Sequence, residues 1–189
     1  MMKEFVFITG NQHKADYLAK WLGGPIDHRA VESLEELQTL DLQTVVEHKA
    51  RGAYAAVQKP VLVEDVALAF SALGKLPGTF VKYFLEEVGT TGLCQMIENF
   101  DDRRATASIM YGYFDGTEMQ FFEGHVDGVV APEPRRSDEA TAWKSSLSWN
   151  SIFIPNGSDK TYAQMTDEEL EPFSHRKQAI EKLRVFLES

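Results

Sequence analysis

Residues 5–24 read FVFITGNQHKADYLAKWLGG, and the order of side chains in this stretch decides the fold class. Phe5 to Ile8 form a short continuous apolar run, the pattern of a strand buried on both faces. Thr9-Gly10-Asn11 is a turn signal. Ala15, Leu18, Trp21 and Leu22 then recur at helical spacing until Gly23-Gly24 stops them. Strand, tight polar turn and helix follow one another, and the rest of the chain continues that alternation.

A second helix is predicted from Leu42, Val45, Val46, Ala50, Ala53 and Val57, with Asp41 as its N-cap. Val61 to Val63 form another apolar strand, expected to end at the acidic pair Glu64-Asp65. Pro77-Gly78 breaks the chain before a third helical pattern, Phe80, Val81, Phe84, Leu85 and Val88. Thr91 is the expected cap of a fourth helix, with Leu93, Met96 and Ile97 on its buried side. The middle of the chain turns β-rich: Ala105 to Phe114 and Met119 to Val130 flank Asp115-Gly116, a hairpin signal. Residues 132–146 read as a polar loop, Ser148 to Ile154 as a strand turned by Asn156-Gly157. Ser174 opens the clearest helix, whose apolar face is Ala179, Ile180, Leu183, Phe186 and Leu187. No repeat or linker interrupts the pattern, which points to one α/β domain over residues 1–189 with a mixed sheet.

Composition bounds the function. The 189 residues are 43% apolar and 25% charged, as in a globular protein. No apolar run approaches the ~18 residues of a membrane span. The N-terminus lacks the apolar core and cleavage site of a secretory signal. Cys94, the only cysteine, excludes an intrachain disulfide and a multi-cysteine metal site, and reads as a small core residue. The expectation is a soluble cytoplasmic protein. A net charge of −10 repels phosphate backbones, so nucleic acid is not an expected partner, although a small anion in a local basic pocket is allowed.

Chemistry-bearing residues cluster at the element junctions. Between a buried strand and a helix, Thr9, Gly10, Asn11 and Lys14 combine free backbone N–H groups, the positive helix end and side-chain donors, which suits phosphate. An ordinary capped turn would read the same way. Glu64 and Asp65 are costly after a buried strand unless solvated, paired or holding a cation. Glu32, Glu35 and Glu36 precede the second helix and also fit a solvated acidic surface. Lys49 and Lys82 taken alone are unremarkable surface residues. Arg176, after Ser174-His175 at a helix start, opposes the helix dipole and so is placed where an anion or polar ligand would compensate it. Trp149 beside Asn150 fits either a ring-stacking position or the core.

Four motifs in order carry a resemblance. TGNQHK (9–14) matches T-G-N-x-x-K, VLVEDVALAF (61–70) an acidic strand motif, LPGTFVKYF (76–84) P-G-x-x-x-[KR]-[WY]-F, and SHRKQA (174–179) S-H-R. Nearly end to end, the chain resembles the inosine triphosphate pyrophosphatase family, which hydrolyses deaminated purine nucleoside triphosphates such as ITP, dITP and XTP to the monophosphate and pyrophosphate. The resemblance implies an elongated α/β fold with a central twisted mixed sheet and two lobes around a nucleotide cleft. It also implies a homodimer and a divalent cofactor, usually Mg²⁺, with Mn²⁺ as a substitute. By the same resemblance Thr9, Gly10, Asn11 and Lys14 hold phosphates with help from Lys49 and Lys82. Glu36, Glu64 and Asp65 hold the metal, Asp65 is the preferred base and Lys14 its catalytic partner. Trp149, Asn150, His175 and Arg176 face the purine.

The departures gather on the base side. Where the family reads F-G-[YW]-D-P-x-F, this chain has Leu147 through Phe153, with Leu147 for the stacking aromatic and Asn150 for the aspartate. Leu170 stands for a lysine and Gln164 for a glutamate, while Tyr17 replaces an acid three residues after Lys14. Two alternatives to the family activity follow: altered base specificity, or nucleotide binding without turnover. A regulatory or scaffold protein on the same fold is a third.

Overall fold

The computed structural model describes residues 3–32, 34–137 and 148–189. Seven strands form one mixed sheet: β1 (Val6–Ile8), β2 (His28–Arg29), β3 (Val61–Phe70), β4 (Pro77–Gly78), β5 (Arg104–Phe114), β6 (Met119–Val130) and β7 (Phe153–Pro155). The strand order is β2-β1-β3-β5-β6-β7, with β4 also paired to β3. β1 lies parallel to both β2 and β3, whereas β3–β4 and β6–β7 are antiparallel. The helices are α1 (Gln12–Leu22), α2 (Leu42–Val57), α3 (Val81–Glu87), α4 (Gly89–Gln95), α5 (Asp167–Leu170) and α6 (His175–Glu188). Among the described residues no helix is long and apolar enough to cross a membrane.

Packing divides the chain into two compact units. The first comprises residues 1–65, 109–124 and 176–189, the second 66–108 and 125–175.

In the first unit, strand parity sorts the core. Successive strand residues point to opposite faces. Val61 and Val63 of β3 share one face with Val6 and Ile8 of β1, and there they cluster with Val46, Ala50 and Ala53 of α2 and Met110 and Phe114 of β5. Gly112 of β5 is what lets α2 come this close, because a Cβ there would stand 2.5 Å from Val46 Cγ1. Phe7 and Tyr111 have the opposite parity, and their rings approach to 6.2 Å. On α6, Phe186 contacts Tyr113 and Phe122 at 5.1 and 5.2 Å, and Ala179, Ile180, Leu183 and Leu187 are buried.

The second unit has its own core, built from Leu68 and Phe70 of β3, Val81 and Leu85 of α3, Leu93 and Cys94 of α4, and Trp149, Phe153 and Tyr162.

Three local expectations are corrected. β3 does not end at Glu64-Asp65 but runs on to Phe70, because Val66 to Phe70 continue a strand-forming pattern and both carboxylates find cations. Thr91 lies inside α4, whose N-cap is Val88 without a side-chain bond. Ser148 to Ile154 is not one strand: Ser148 Oγ accepts from Asn150 N–H, starting a short 3-10 turn at Trp149–Ser151, and β7 begins only at Phe153. Such a local side-chain bond competes with the ladder. Asp41 caps α2 as expected, accepting from Thr44 N–H at 2.8 Å. The loop over 132–137 is free of helix and strand, while its remainder and Leu147 lie outside the described residues.

Candidate active site

In the first unit the register of β1 and β3 pairs Val6 with Val61 and Phe7 with Leu62. Continued residue for residue, Thr9 comes level with Glu64. The acidic pair therefore sits where the neighbouring parallel strand stops and its turn into α1 begins, although β3 itself continues. Ends of parallel strands are where α/β sheets place ligands. Asn11 caps α1, accepting from Lys14 N–H at 3.3 Å, and its own N–H donates to Thr9 Oγ1 at 3.1 Å. No acidic residue occupies the first turn, so the positive end of α1 stays uncompensated by its own side chains.

Glu64 and Asp65 point to opposite faces of β3, and each is met by cations from a different element. Glu64 is 3% exposed. Lys14 Nζ of α1 stands 2.7 Å from its Oε1 as an ion pair without hydrogen-bond alignment, and Arg176 Nη1 of α6 donates to Oε2. The same Nη1 donates to Tyr111 Oη at 3.0 Å. On the other face Lys49 Nζ of α2 donates to Asp65 Oδ2 at 3.1 Å and to the Glu64 carbonyl at 2.9 Å. Burial would push the Glu64 carboxyl up, but Arg176 and then Lys14 outweigh it and hold it well below the carboxylate range. Burial likewise opposes the Arg176 charge, and Glu64 more than restores it. Tyr111 is driven well above the ordinary tyrosine value by burial first and the Glu64 charge second, so its hydroxyl stays protonated. Three cations against two carboxylates leave this cluster net positive in a chain of charge −10.

The second unit gathers rings. Trp149 lies 5.8 Å from Phe153, 6.0 Å from Tyr162 and 5.6 Å from His175, and Tyr162 stacks on His175 at 6.0 Å with only 7° between planes. Trp149, Asn150 and His175 are all buried. Trp149 is thus part of the core, one of the two readings its sequence allowed. Gln164 Oε1 accepts from Thr161 N–H at 3.1 Å, so this departure from the family pattern serves a capping box. Leu170 packs against the apolar core of this unit.

The site residues expected from sequence divide accordingly. Lys14, Lys49, Glu64, Asp65 and Arg176 come together; Thr9, Gly10 and Asn11 form the adjoining turn. Lys82 is exposed on α3 in the second unit, its Nζ 5.9 Å over the Tyr83 ring. Arg176 Nη1 is bonded to Glu64 and Tyr111, which ties this residue to the carboxylate cluster. Glu36 is exposed ahead of α2, and among the described residues no three His, Cys, Asp or Glu side chains form a ready cation cage, so the expected Glu36–Glu64–Asp65 set is not assembled. The donors present nevertheless fit Mg²⁺ or Mn²⁺: Glu64 and Asp65 each offer hard oxygens on their own face of β3, and Mg²⁺ is commonly held by only one or two carboxylates, with substrate phosphates and waters completing the shell. Tyr111 and Tyr162 are not among the residues the sequence singles out. Nothing in an apolar strand marks Tyr111 as a site residue except a parity shared with Glu64 once the sheet register is known.

The model of the Ham1 family matches residues 5–186. A Schizosaccharomyces pombe protein named inosine triphosphate pyrophosphatase is 42% identical over 192 residues, covering 100% of this chain and 97% of the relative. A protein of the same name from Yarrowia lipolytica is 37% identical, covering 96% and 94%. Among solved structures, that of the Staphylococcus aureus Ham1 protein superposes with a TM-score of 0.80 at 25% identity, covering 98% of each chain.

Proposed function

The chain belongs to the Ham1 family, and from that premise we propose that it is a nucleoside triphosphate pyrophosphatase acting on deaminated purine nucleotides such as ITP, dITP and XTP. The observation that carries the reading is the charge inversion around Glu64 and Asp65. Lys14, Lys49 and Arg176 make a net positive cluster beside the uncompensated start of α1, in a chain whose overall charge repels anions. A triphosphate satisfies such a cluster, and the relatives' names match it.

In this reading the Thr9–Lys14 turn and Lys49 bind the phosphates. Lys14 stabilises charge that develops on the phosphoryl oxygens. Asp65, anchored by Lys49, takes the proton from the water that attacks the α-phosphorus. The bond from that phosphorus to the α–β bridging oxygen breaks, giving nucleoside monophosphate and pyrophosphate. Bound Mg²⁺ or Mn²⁺, held by Glu64 or Asp65 together with phosphate oxygens and waters, would neutralise phosphate charge and lower the pKa of water. His175 and Asn150 take the base side, and Lys82 assists with phosphate. The whole chain acts as a single catalytic domain, working as a homodimer in the cytoplasm without nucleic-acid or membrane partners.

The test is a panel of ITP, XTP, dITP and the standard triphosphates assayed for pyrophosphate with Mg²⁺. The expected result is release from the 6-oxo purines first. Nucleotide binding without release would instead favour a homologue without turnover.

A further inference from the structure

We propose that Tyr111 is a positioning residue for this reaction: its hydroxyl fixes the Arg176 guanidinium on Glu64 and thereby sets the orientation of the Glu64 carboxylate. The proposal rests on the pyrophosphatase reading above. Tyr111 is fully buried on β5, with Phe7 as a ring neighbour at 6.2 Å. For packing alone, a phenylalanine would serve, since a buried hydroxyl is costly unless it is hydrogen-bonded. Here the hydroxyl accepts from Arg176 Nη1 at 3.0 Å, and the same nitrogen donates to Glu64 Oε2. A guanidinium Nη carries two hydrogens, and these two bonds use both. The Tyr17 ring, 5.9 Å from Arg176 Cζ, bounds the group from α1.

The consequence concerns the other oxygen of Glu64. With one Nη1 hydrogen taken by Tyr111, the guanidinium holds Oε2 alone, and Oε1 is left to Lys14 at 2.7 Å. Without the hydroxyl, that hydrogen would lie unpaired in a buried site and turn toward Oε1, the nearest remaining acceptor on the carboxylate. Arg176 would then compete with Lys14, the residue assigned to the phosphates. Tyr111 therefore acts on the Glu64 carboxylate through Arg176 and through its own contact with Glu64, and is a positioning rather than a catalytic residue.

The experiment compares Tyr111→Phe, Arg176→Lys and the double variant by kcat and KM for ITP at saturating Mg²⁺, with melting temperature and side-chain ¹⁵N NMR of the Arg176 guanidinium. Expected for Tyr111→Phe is a fall in kcat of about tenfold, the size of one lost hydrogen bond to a charged group. KM should change less than ~2-fold, and the Nη signals should show faster rotation. In the Arg176→Lys background the same change should cost clearly less than in the parent, because the pinned guanidinium is gone and only the direct contact with Glu64 remains. Unchanged kcat in Tyr111→Phe, or an equal loss in both backgrounds, would overturn the proposal. A parent enzyme that releases pyrophosphate from no triphosphate would instead overturn the functional reading itself.

Discussion

Asp65 and Lys14 differ in what their removal should do, because one is half-exposed beside a lysine and the other neutralises a buried charge. Asp65→Asn keeps shape and much of the contact with Lys49, so folding should survive while turnover falls at least ~100-fold, as for loss of a general base. Near-parental kcat under saturating Mg²⁺ would remove Asp65 from that role. Lys14→Ala strips one of two cations from Glu64, which is 3% exposed, so a lower melting temperature should accompany a raised KM. Lys14→Arg should recover the stability; a variant with neither defect would show that Lys14 serves neither Glu64 nor phosphate. At Cys94, burial pushes the thiol up to about 11, so alkylation by iodoacetamide near neutral pH should require unfolding. Labelling of the folded protein at the rate of a free thiol would contradict that placement. Lys14, Asp65 and Cys94 could be singled out from the chain alone because their motifs or their helical face mark them. Arg176 could be found but not assigned, since its partner Glu64 is 112 residues away in sequence.

Elements matter here through what they carry. α2 delivers Lys49, and two features seat that helix: Asp41 at its start and Gly112 beneath it. Gly112→Ala would force a Cβ within 2.5 Å of Val46 Cγ1, so α2 must shift, at a cost of about 1–3 kcal/mol typical of overpacking. Because Val46 lies less than one turn before Lys49, activity should fall as well. Equal stability of Gly112→Ala and parent in urea would contradict this account. Gly10 is the contrasting case: a Cβ there would meet only Ala30 Cβ, at 3.5 Å. The elements themselves were legible where periodicity agrees with a cap or stop signal, as in α1 with Gly23-Gly24 at its end, and α2 with Asp41 at its start. They were misread where a side chain changes the local rule. An acidic pair looks like a strand end until cations from α1, α2 and α6 neutralise it, and Ser148 begins a 3-10 turn where β-forming residues suggest a strand.

For the whole molecule, the buried Glu64 should make stability depend on pH in a direction fixed by its neighbours. Burial alone would favour the protonated form and raise its value above 4.5, but Arg176 and Lys14 reverse that and lower it. A folded-state value below the unfolded one means the unfolded chain binds the proton more readily in between. The contribution of Glu64 is therefore complete above about pH 4.5 and is lost as pH falls through the lowered folded value. The loss joins three distant parts of the chain, because Lys14 on α1, Glu64 on β3 and Arg176 on α6 are all held by this one charge. Glu64→Gln isolates the effect: the other acidic groups titrate in both proteins and cancel in the difference. The variant should be less stable than the parent near neutral pH, since it leaves Arg176 half-buried without its counter-charge. Measured by urea unfolding from about pH 7 to about pH 3, that gap should hold steady down to about pH 4.5 and then narrow. A gap that stays constant or widens in acid would mean that Arg176 and Lys14 do not hold Glu64 ionised, and the positive cluster assigned to the triphosphate would lose its centre.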